Sequence, residues 1–271
     1  MTFDAIPTWL FFLGTILVVI SSTEIGYRLG LRSHRRSQDE KESPVSAIVG
    51  SVLGLTAFML AFTFGIVSER YDARKALVRE EANSIGTTYL RSDFLAEPDR
   101  TEARGLLREY LDNRLAFVQS LRTGHMTGAE ITKGLATADK ISKRLWAIAV
   151  ANSRKDMNSD IGALYVDSLN GMIDLHATRV AVALQARIPV GIWIALLSLT
   201  FFGMVAVGYQ MGIAGSKRSL AQPILAISFS VVITLIASLD RPASAYVTVS
   251  QQPMIALRNS MVADAAGARQ P

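Results

Sequence analysis

The sequence contains no cysteine among its 271 residues. A disulfide scaffold, a thiolate metal site and a cysteine nucleophile are therefore excluded. Motifs for other chemistry are missing too: there is no glycine-rich phosphate loop, no Gly-x-Ser-x-Gly elbow and no His-Glu-x-x-His. None of the histidines, His34, His125 and His176, has a second histidine three or four residues further on. We expect no metal, no cofactor and no enzymatic activity.

Charge is scarce along four stretches, although the chain carries 28 Lys and Arg and 23 Asp and Glu. The stretches are residues 6–25, 45–67, 188–211 and 220–239. Each reaches the roughly 18 to 20 residues that cross about 30 Å of hydrocarbon. No basic segment precedes the first stretch, so we interpret it as a retained helix rather than a secretory signal. The sequence predicts a multi-pass membrane protein with two transmembrane hairpins, 1–67 and 188–239.

Most of the charge lies in residues 68–187, where apolar residues recur at helical spacing in about four stretches. Thr127 followed by Glu130 is typical of a capping box at a helix start. We expect the carboxylates of this segment to lie on solvated faces. The prediction is an all-α fold: four transmembrane helices, with a helical-bundle soluble domain inserted between helices two and three. Residues 240–271 form a C-terminal tail, with one short extended stretch at 245–250.

Basic residues are concentrated in the short loops after the first span and between the third and fourth. They are Arg28, Arg32, Arg35, Arg36, Lys41, Lys217 and Arg218. Positive-inside counting favours a cytoplasmic position for these loops and places the bundle on the opposite side of the membrane. The net charge of +5 requires no nucleic-acid partner, because anionic headgroups account for basic residues beside a lipid bilayer.

The second span carries a strip of small residues on one side of its predicted helix. The strip consists of Gly50, Gly54, Ala57, Ala61 and Gly65. Such a strip favours close helix packing. Its flanks hold Phe58 and Phe62 on one side and Leu53, Leu60 and Phe64 on the other, and two interpretations stand for them. They contact lipid or neighbouring helices of the bundle, or one flank lines a pore in a homo-oligomer and gates it by dewetting.

The fourth span places Ser230, Thr234 and Ser238 at positions i, i+4 and i+8, so their hydroxyls share one face of the helix. A hydroxyl stripe of this kind is able to line a pore and contact a passing ion. The alternative is that each hydroxyl bonds back to the carbonyl one turn earlier.

Three short motifs carry a resemblance that extends over nearly the whole chain. They are Tyr71-Asp72-Ala73-Arg74, Glu81-Ala82-Asn83 and Asp240-Arg241-Pro242. With them the chain resembles the bacterial bestrophin-like membrane protein family and, more distantly, the bestrophins. Bestrophins are pentameric anion channels whose second helix lines an apolar neck. The resemblance thus implies a homo-oligomer in the bacterial inner membrane, with Phe58 and Phe62, or Leu55 and Met59, bordering a path for small anions. It also implies a cytosolic bundle, opposite to the charge count.

A second hypothesis belongs to a different class of protein. Four-helix bundles flanked by membrane helices are a common sensor layout, so the bundle is also interpretable as a membrane-anchored sensor or adaptor. The sequence contains no recognisable output domain, so a sensor of this kind would act through a partner protein. A plain scaffold is the third hypothesis.

Overall fold

The computed structural model describes residues 6–36, 42–122, 127–185, 187–215, 221–241 and 247–267. All regular structure in these residues is helical. The helices are α1 (Thr8–Arg36), α2 (Glu42–Arg91), α3 (Asp99–Arg122), α4 (Gly128–Ser153), α5 (Asp160–Gln185), α6 (Val190–Ile213), α7 (Ala221–Asp240) and α8 (Gln252–Gly267), with a 3-10 turn at Ser92–Phe94. The prediction of an all-α chain is confirmed for the described residues. Of the predicted extended stretch, 247–250 has neither helix nor strand, and 245 and 246 lie outside the described residues.

Four of the helices are long and apolar enough to cross a membrane, as predicted. They are Thr8–Arg35, Pro44–Phe94, Val190–Ile213 and Gln222–Asp240. The first is longer than its apolar stretch because polar residues continue the helix; the Arg28 Nε, for example, lies 2.7 Å from the Glu24 carboxylate one turn away. The second continues to Arg91 because no proline interrupts the chain between Pro44 and Pro98.

The chain divides into two compact units. The first consists of Met1–Tyr71 and Arg187–Val247, and the second of Asp72–Ala186 and Thr248–Pro271. Helix α2 contributes residues to both.

Close packing of α1 against α6 organises the first unit. Both helices carry a Gly-x-x-x-Gly motif: Gly26 and Gly30 in α1, Gly208 and Gly212 in α6. A Cβ at Gly26 would overlap the Val205 carbonyl oxygen, and similar overlaps with backbone atoms would follow at the other three glycines. The two backbones approach this closely only because these side chains are absent.

Apolar side chains from α1, α2, α6 and α7 fill the rest of the first unit. Phe11 meets Trp193 edge to face with ring centroids 6.3 Å apart. Leu60, Leu196 and Ile233 belong to the same buried cluster.

The second unit is a helical bundle with its own apolar core. That core includes Tyr110, Leu111, Leu145, Leu169 and Met172, and it extends to Met254 and Met261 of α8. The predicted capping box is confirmed, since Thr127 Oγ1 accepts from the Glu130 backbone N–H at 3.3 Å and the Thr127 N–H donates to Glu130 Oε2 at 2.7 Å. Helix α8 begins at Gln252, with Pro253 in its first turn where no N–H is needed.

Candidate functional site

Helix α2 has a buried side and an open side within the first unit. Val49, Thr56, Leu60, Thr63 and Val67 are buried. The small-residue strip predicted from the sequence lies on the open side, and all five of its residues are exposed. A Cβ at Gly50, Gly54 or Gly65 would meet no neighbouring atom within 4 Å among the described residues. Within the described part of the first unit, no helix therefore packs against the strip.

The large apolar side chains beside the strip are exposed as well. Leu55, Phe58 and Phe62 are 51%, 64% and 56% exposed, respectively. The two phenyl rings stack on one another, with centroids 6.3 Å apart and planes 15° apart. Met59 is partly buried against the apolar core of the first unit. Of the four predicted pore residues in α2, three thus share one open face, and Met59 lies at its edge. We call Leu55, Phe58, Phe62 and the small-residue strip the open face of α2.

The hydroxyl stripe of α7 lies in the interior of the first unit. Ser230 and Ser238 are buried and Thr234 is partly buried. Ser230 Oγ and Thr234 Oγ1 have no hydrogen-bond partner among the described residues. Their neighbour Ser228, by contrast, bonds back to the Ile224 carbonyl at 2.9 Å. The structure does not bring this stripe onto the open face of α2.

Two arginines lie against Asp240 where α7 ends, and a third follows it in the chain. Asp240 Oδ1 accepts the Ile188 backbone N–H at 3.0 Å and lies 3.8 Å from Arg70 Nη1. Arg187 Nη1 donates to the Asp240 carbonyl oxygen at 2.6 Å. Arg241, the next residue in the chain, is 9% exposed. We call Arg70, Arg187, Arg241 and Asp240 the guanidinium cluster. Pro242, the third residue of this motif, lies outside the described residues.

The other two motifs fall at the beginning of the second unit and just before it. Tyr71 packs against the apolar core of the first unit. Asp72 is exposed, with Lys75 Nζ 3.2 Å from its carboxylate, and Arg74 is partly buried. Asn83 is exposed, whereas Glu81 is fully buried.

The expectation that carboxylates of the bundle are solvated is wrong for Glu81. Its Oε1 accepts hydrogen bonds from Tyr110 Oη and from Arg114 Nε, both at 3.1 Å. The Arg179 guanidinium lies against its other oxygen, Oε2. Isolated charge is costly to bury, so these partners are what make an ionised carboxylate tolerable there. The ion pairs join α2 to α3 and α5. Helical periodicity alone gives no sign of them, because a charged residue usually faces solvent.

His176 extends this buried network on α5. Its Nδ1 lies 2.9 Å from Tyr110 Oη. Burial, together with the nearby Arg114 charge, lowers the pKa of His176 to about 4, while burial raises the pKa of Tyr110 to about 12. Both groups are therefore neutral near pH 7. Since the phenol has one proton and gives it to Glu81, a hydrogen on Nδ1 satisfies both contacts.

No metal-binding group emerges from the part of the chain that the structure describes: no three His, Asp or Glu side chains cluster there as ligands. His34 is exposed on α1, His176 bonds to Tyr110, and His125 lies outside the described residues.

The described residues form an all-helical architecture in which four helices are long and apolar enough to cross a membrane. A family model described as Bestrophin-like domain matches residues 13–254, and the chain belongs to this bestrophin-like family, as predicted. Among solved structures, it is similar to a mutant form of a bacterial bestrophin homolog from Klebsiella pneumoniae. The two chains are 13% identical, the match covers 92% of this chain and 95% of that one, and the TM-score is 0.60. This similarity is one of fold. No curated protein matches the sequence.

Proposed function

We propose that the chain is one protomer of a homo-oligomeric membrane channel for small anions, with the open face of α2 lining the pore. The main supporting observation is that Phe58 and Phe62, stacked and more than half exposed, lie beside a strip of small residues that no described residue of the first unit covers. Family membership supports the proposal, because the resemblance to bestrophins implies a pore along the second helix.

The chemistry of the open face suits a pore made by several copies of α2. Glycine and alanine let neighbouring helices approach closely. Phe58 and Phe62, repeated around an axis, would form apolar rings, which close a narrow pore by excluding water. In this arrangement the four membrane-length helices span the bacterial inner membrane. The helical bundle is then a soluble domain inserted between the second and third of them.

The charge of the first unit favours anions over cations. Residues 1–71 and 187–247, which make up this unit, carry ten Lys and Arg against seven Asp and Glu. An excess of positive charge raises the local concentration of anions near it. Arg70, a member of the cluster, lies on the same helix as Phe58 and Phe62.

The lack of native cysteine allows a direct test of which residues face water. Leu55 on α2 and Leu13 on α1 are both 51% exposed, so Leu55→Cys and Leu13→Cys are matched single-cysteine variants. Each is reconstituted in liposomes, and a membrane-impermeant thiol reagent is supplied on both sides. We expect Leu55→Cys to react at least roughly tenfold faster, because thiolate forms readily only in contact with water. Equal, slow labelling of the two variants would mean that the open face contacts lipid.

Oligomerisation is tested separately, by the mass of the purified protein in mild detergent, measured by light scattering with the detergent subtracted. The proposal predicts a closed ring of several protomers. A monomer or dimer that persists after reconstitution and crosslinking would contradict it, and the sensor or adaptor hypothesis would then be the one to pursue.

A further inference from the structure

We propose that Glu69 sets the charge selectivity of the pore, as a ring of carboxylates that limits the preference for small anions over small cations. This inference rests on the proposed function, because it requires the open face of α2 to line the pore. It goes further by naming the residue that decides between the two signs of charge.

Glu69 continues the line of the open face along α2. It comes seven residues after Phe62 and four after Gly65 on the same uninterrupted helix. At 3.6 residues per turn, these separations bring the three residues to one side of the helix. Glu69 is exposed, as Phe62 and Gly65 are. The rise of an α-helix puts its Cα about 10 Å beyond that of Phe62 along the axis.

The charge of Glu69 is not neutralised by its neighbours. No residue that the structure describes forms an ion pair with its carboxylate. Side chains three or four positions away are the ones that reach each other on a helix surface. At these positions α2 carries Gly65, Ile66, Asp72 and Ala73, none of which is basic.

Arg70, the next residue along the chain, is directed into the first unit instead. Its Nη1 is buried, lies 3.8 Å from Asp240 Oδ1 and has no hydrogen-bond acceptor among the described residues. A guanidinium that faces Asp240 leaves the exposed carboxylate of Glu69 without a partner. Two adjacent residues of opposite charge thus lie on different sides of α2.

Glu69 is the first charge that follows the apolar segment of the open face. Between Glu42 and Glu69 the sequence contains no Asp, Glu, Lys or Arg. In a homo-oligomer, Glu69 would place one carboxylate per protomer around the pore, just beyond the rings of Phe58 and Phe62. A ring of carboxylates attracts small cations and repels small anions. Glu69 therefore acts against the net positive charge of the first unit.

The first test measures the electric field beside Glu69 and does not require ion conduction. Gly65→Cys places a thiol one turn before Glu69, at a position where a Cβ meets open space, in a chain without other cysteines. The variant is reconstituted in liposomes and labelled with a cationic and an anionic methanethiosulfonate of similar size, supplied on both sides. The measured quantity is the ratio of the cationic to the anionic labelling rate.

Removing the carboxylate should lower this ratio. We expect Glu69→Gln, added to Gly65→Cys, to reduce it at least roughly fivefold, the effect of one unit charge at a few ångströms in water. Comparing the two variants cancels the intrinsic difference between the reagents. Glu69→Asp keeps the charge and should keep the ratio. Glu80→Gln, at an exposed carboxylate further along α2, should leave it unchanged.

Ion permeability provides a second, independent measurement. The reversal potential in planar bilayers with a sodium chloride gradient gives the permeability ratio of chloride to sodium. Glu69→Gln should raise this ratio roughly fivefold, and Glu69→Asp should not. A purely structural role of Glu69 would not move either ratio.

The outcomes separate this inference from the proposed function. If Gly65→Cys labels rapidly but Glu69→Gln changes neither ratio, the role of Glu69 is refuted and the pore stands. If Gly65→Cys reacts slowly with both reagents, the open face contacts lipid, and the proposed function fails together with the inference that rests on it.

Discussion

Glu81 of α2 and Arg114 of α3 form an ion pair inside the second unit, with Arg114 Nε 3.1 Å from Glu81 Oε1. Glu81 is fully buried and Arg114 is 6% exposed. Desolvation lowers the pKa of Arg114 and takes that of Arg179 down to about 10, so the Arg179 guanidinium stays charged near neutral pH. One carboxylate thus pairs with two buried cations.

Removing the charge of Glu81 should therefore destabilise the protein strongly. We expect Glu81→Gln to cost about 3–5 kcal/mol of unfolding free energy, because it leaves two buried guanidinium groups without a counter-charge. The measurement is denaturant or thermal unfolding in detergent. Glu80→Gln is the control, since Glu80 is exposed and adjacent. Similar losses of unfolding free energy in the two variants would show that the buried ion pairs contribute little to stability.

Acidic pH should lower the stability of the second unit, because His176 is buried in its neutral form. Its folded-state pKa of about 4 lies below the ordinary 6.5, so between these values the unfolded chain binds more protons than the folded one. Stability should thus fall as the pH drops from about 6.5 towards 4, and the histidine should have no effect above that window. The expected size is on the order of 3 kcal/mol, because one pKa unit corresponds to about 1.4 kcal/mol.

The variant His176→Asn keeps a donor near the Tyr110 hydroxyl but does not titrate. Its melting temperature should depend less on pH over this window than that of the wild type. The control is His34→Asn, at an exposed histidine of α1. If His176→Asn follows the wild-type pH curve, His176 is not the source of the acid sensitivity.

The contact between α1 and α6 should not tolerate even one methyl group. Gly26→Ala places a Cβ on the Val205 carbonyl oxygen, and the overlap should cost about 1–3 kcal/mol as the helices separate. On the same helix, Gly14→Ala meets open space and should be nearly neutral. Tryptophan fluorescence during thermal unfolding measures the stability of the two variants for comparison. A stable Gly26→Ala variant would mean that the close approach is not required.

Much of the architecture was predictable from sequence, because apolar runs of membrane length and helical periodicity are local signals. The capping box at Thr127 is equally local. The choice of packing partner is not a local signal: the chain carries small-residue motifs on α1, α2 and α6, and the sequence alone favours the α2 strip for close packing. The structure packs Gly26 and Gly208 instead and leaves Gly54 open. Which glycines are covered depends on helices distant in the chain, and the same holds for the burial of Glu81.

The open face of α2 is the centre of the proposed function, and halide flux from liposomes tests it most directly. Wild type is compared with the Phe58→Ala, Phe62→Ala double variant. The control is the Phe201→Ala, Phe202→Ala double variant, which removes a second pair of exposed, contacting phenyl rings, on α6. We expect the wild type to give halide flux above that of empty liposomes. The α2 substitutions should raise this flux roughly tenfold, equivalent to about 1.4 kcal/mol of barrier, and the α6 substitutions should leave it unchanged. If folded, reconstituted wild type and α2 variant are both silent, the proposed anion channel is contradicted.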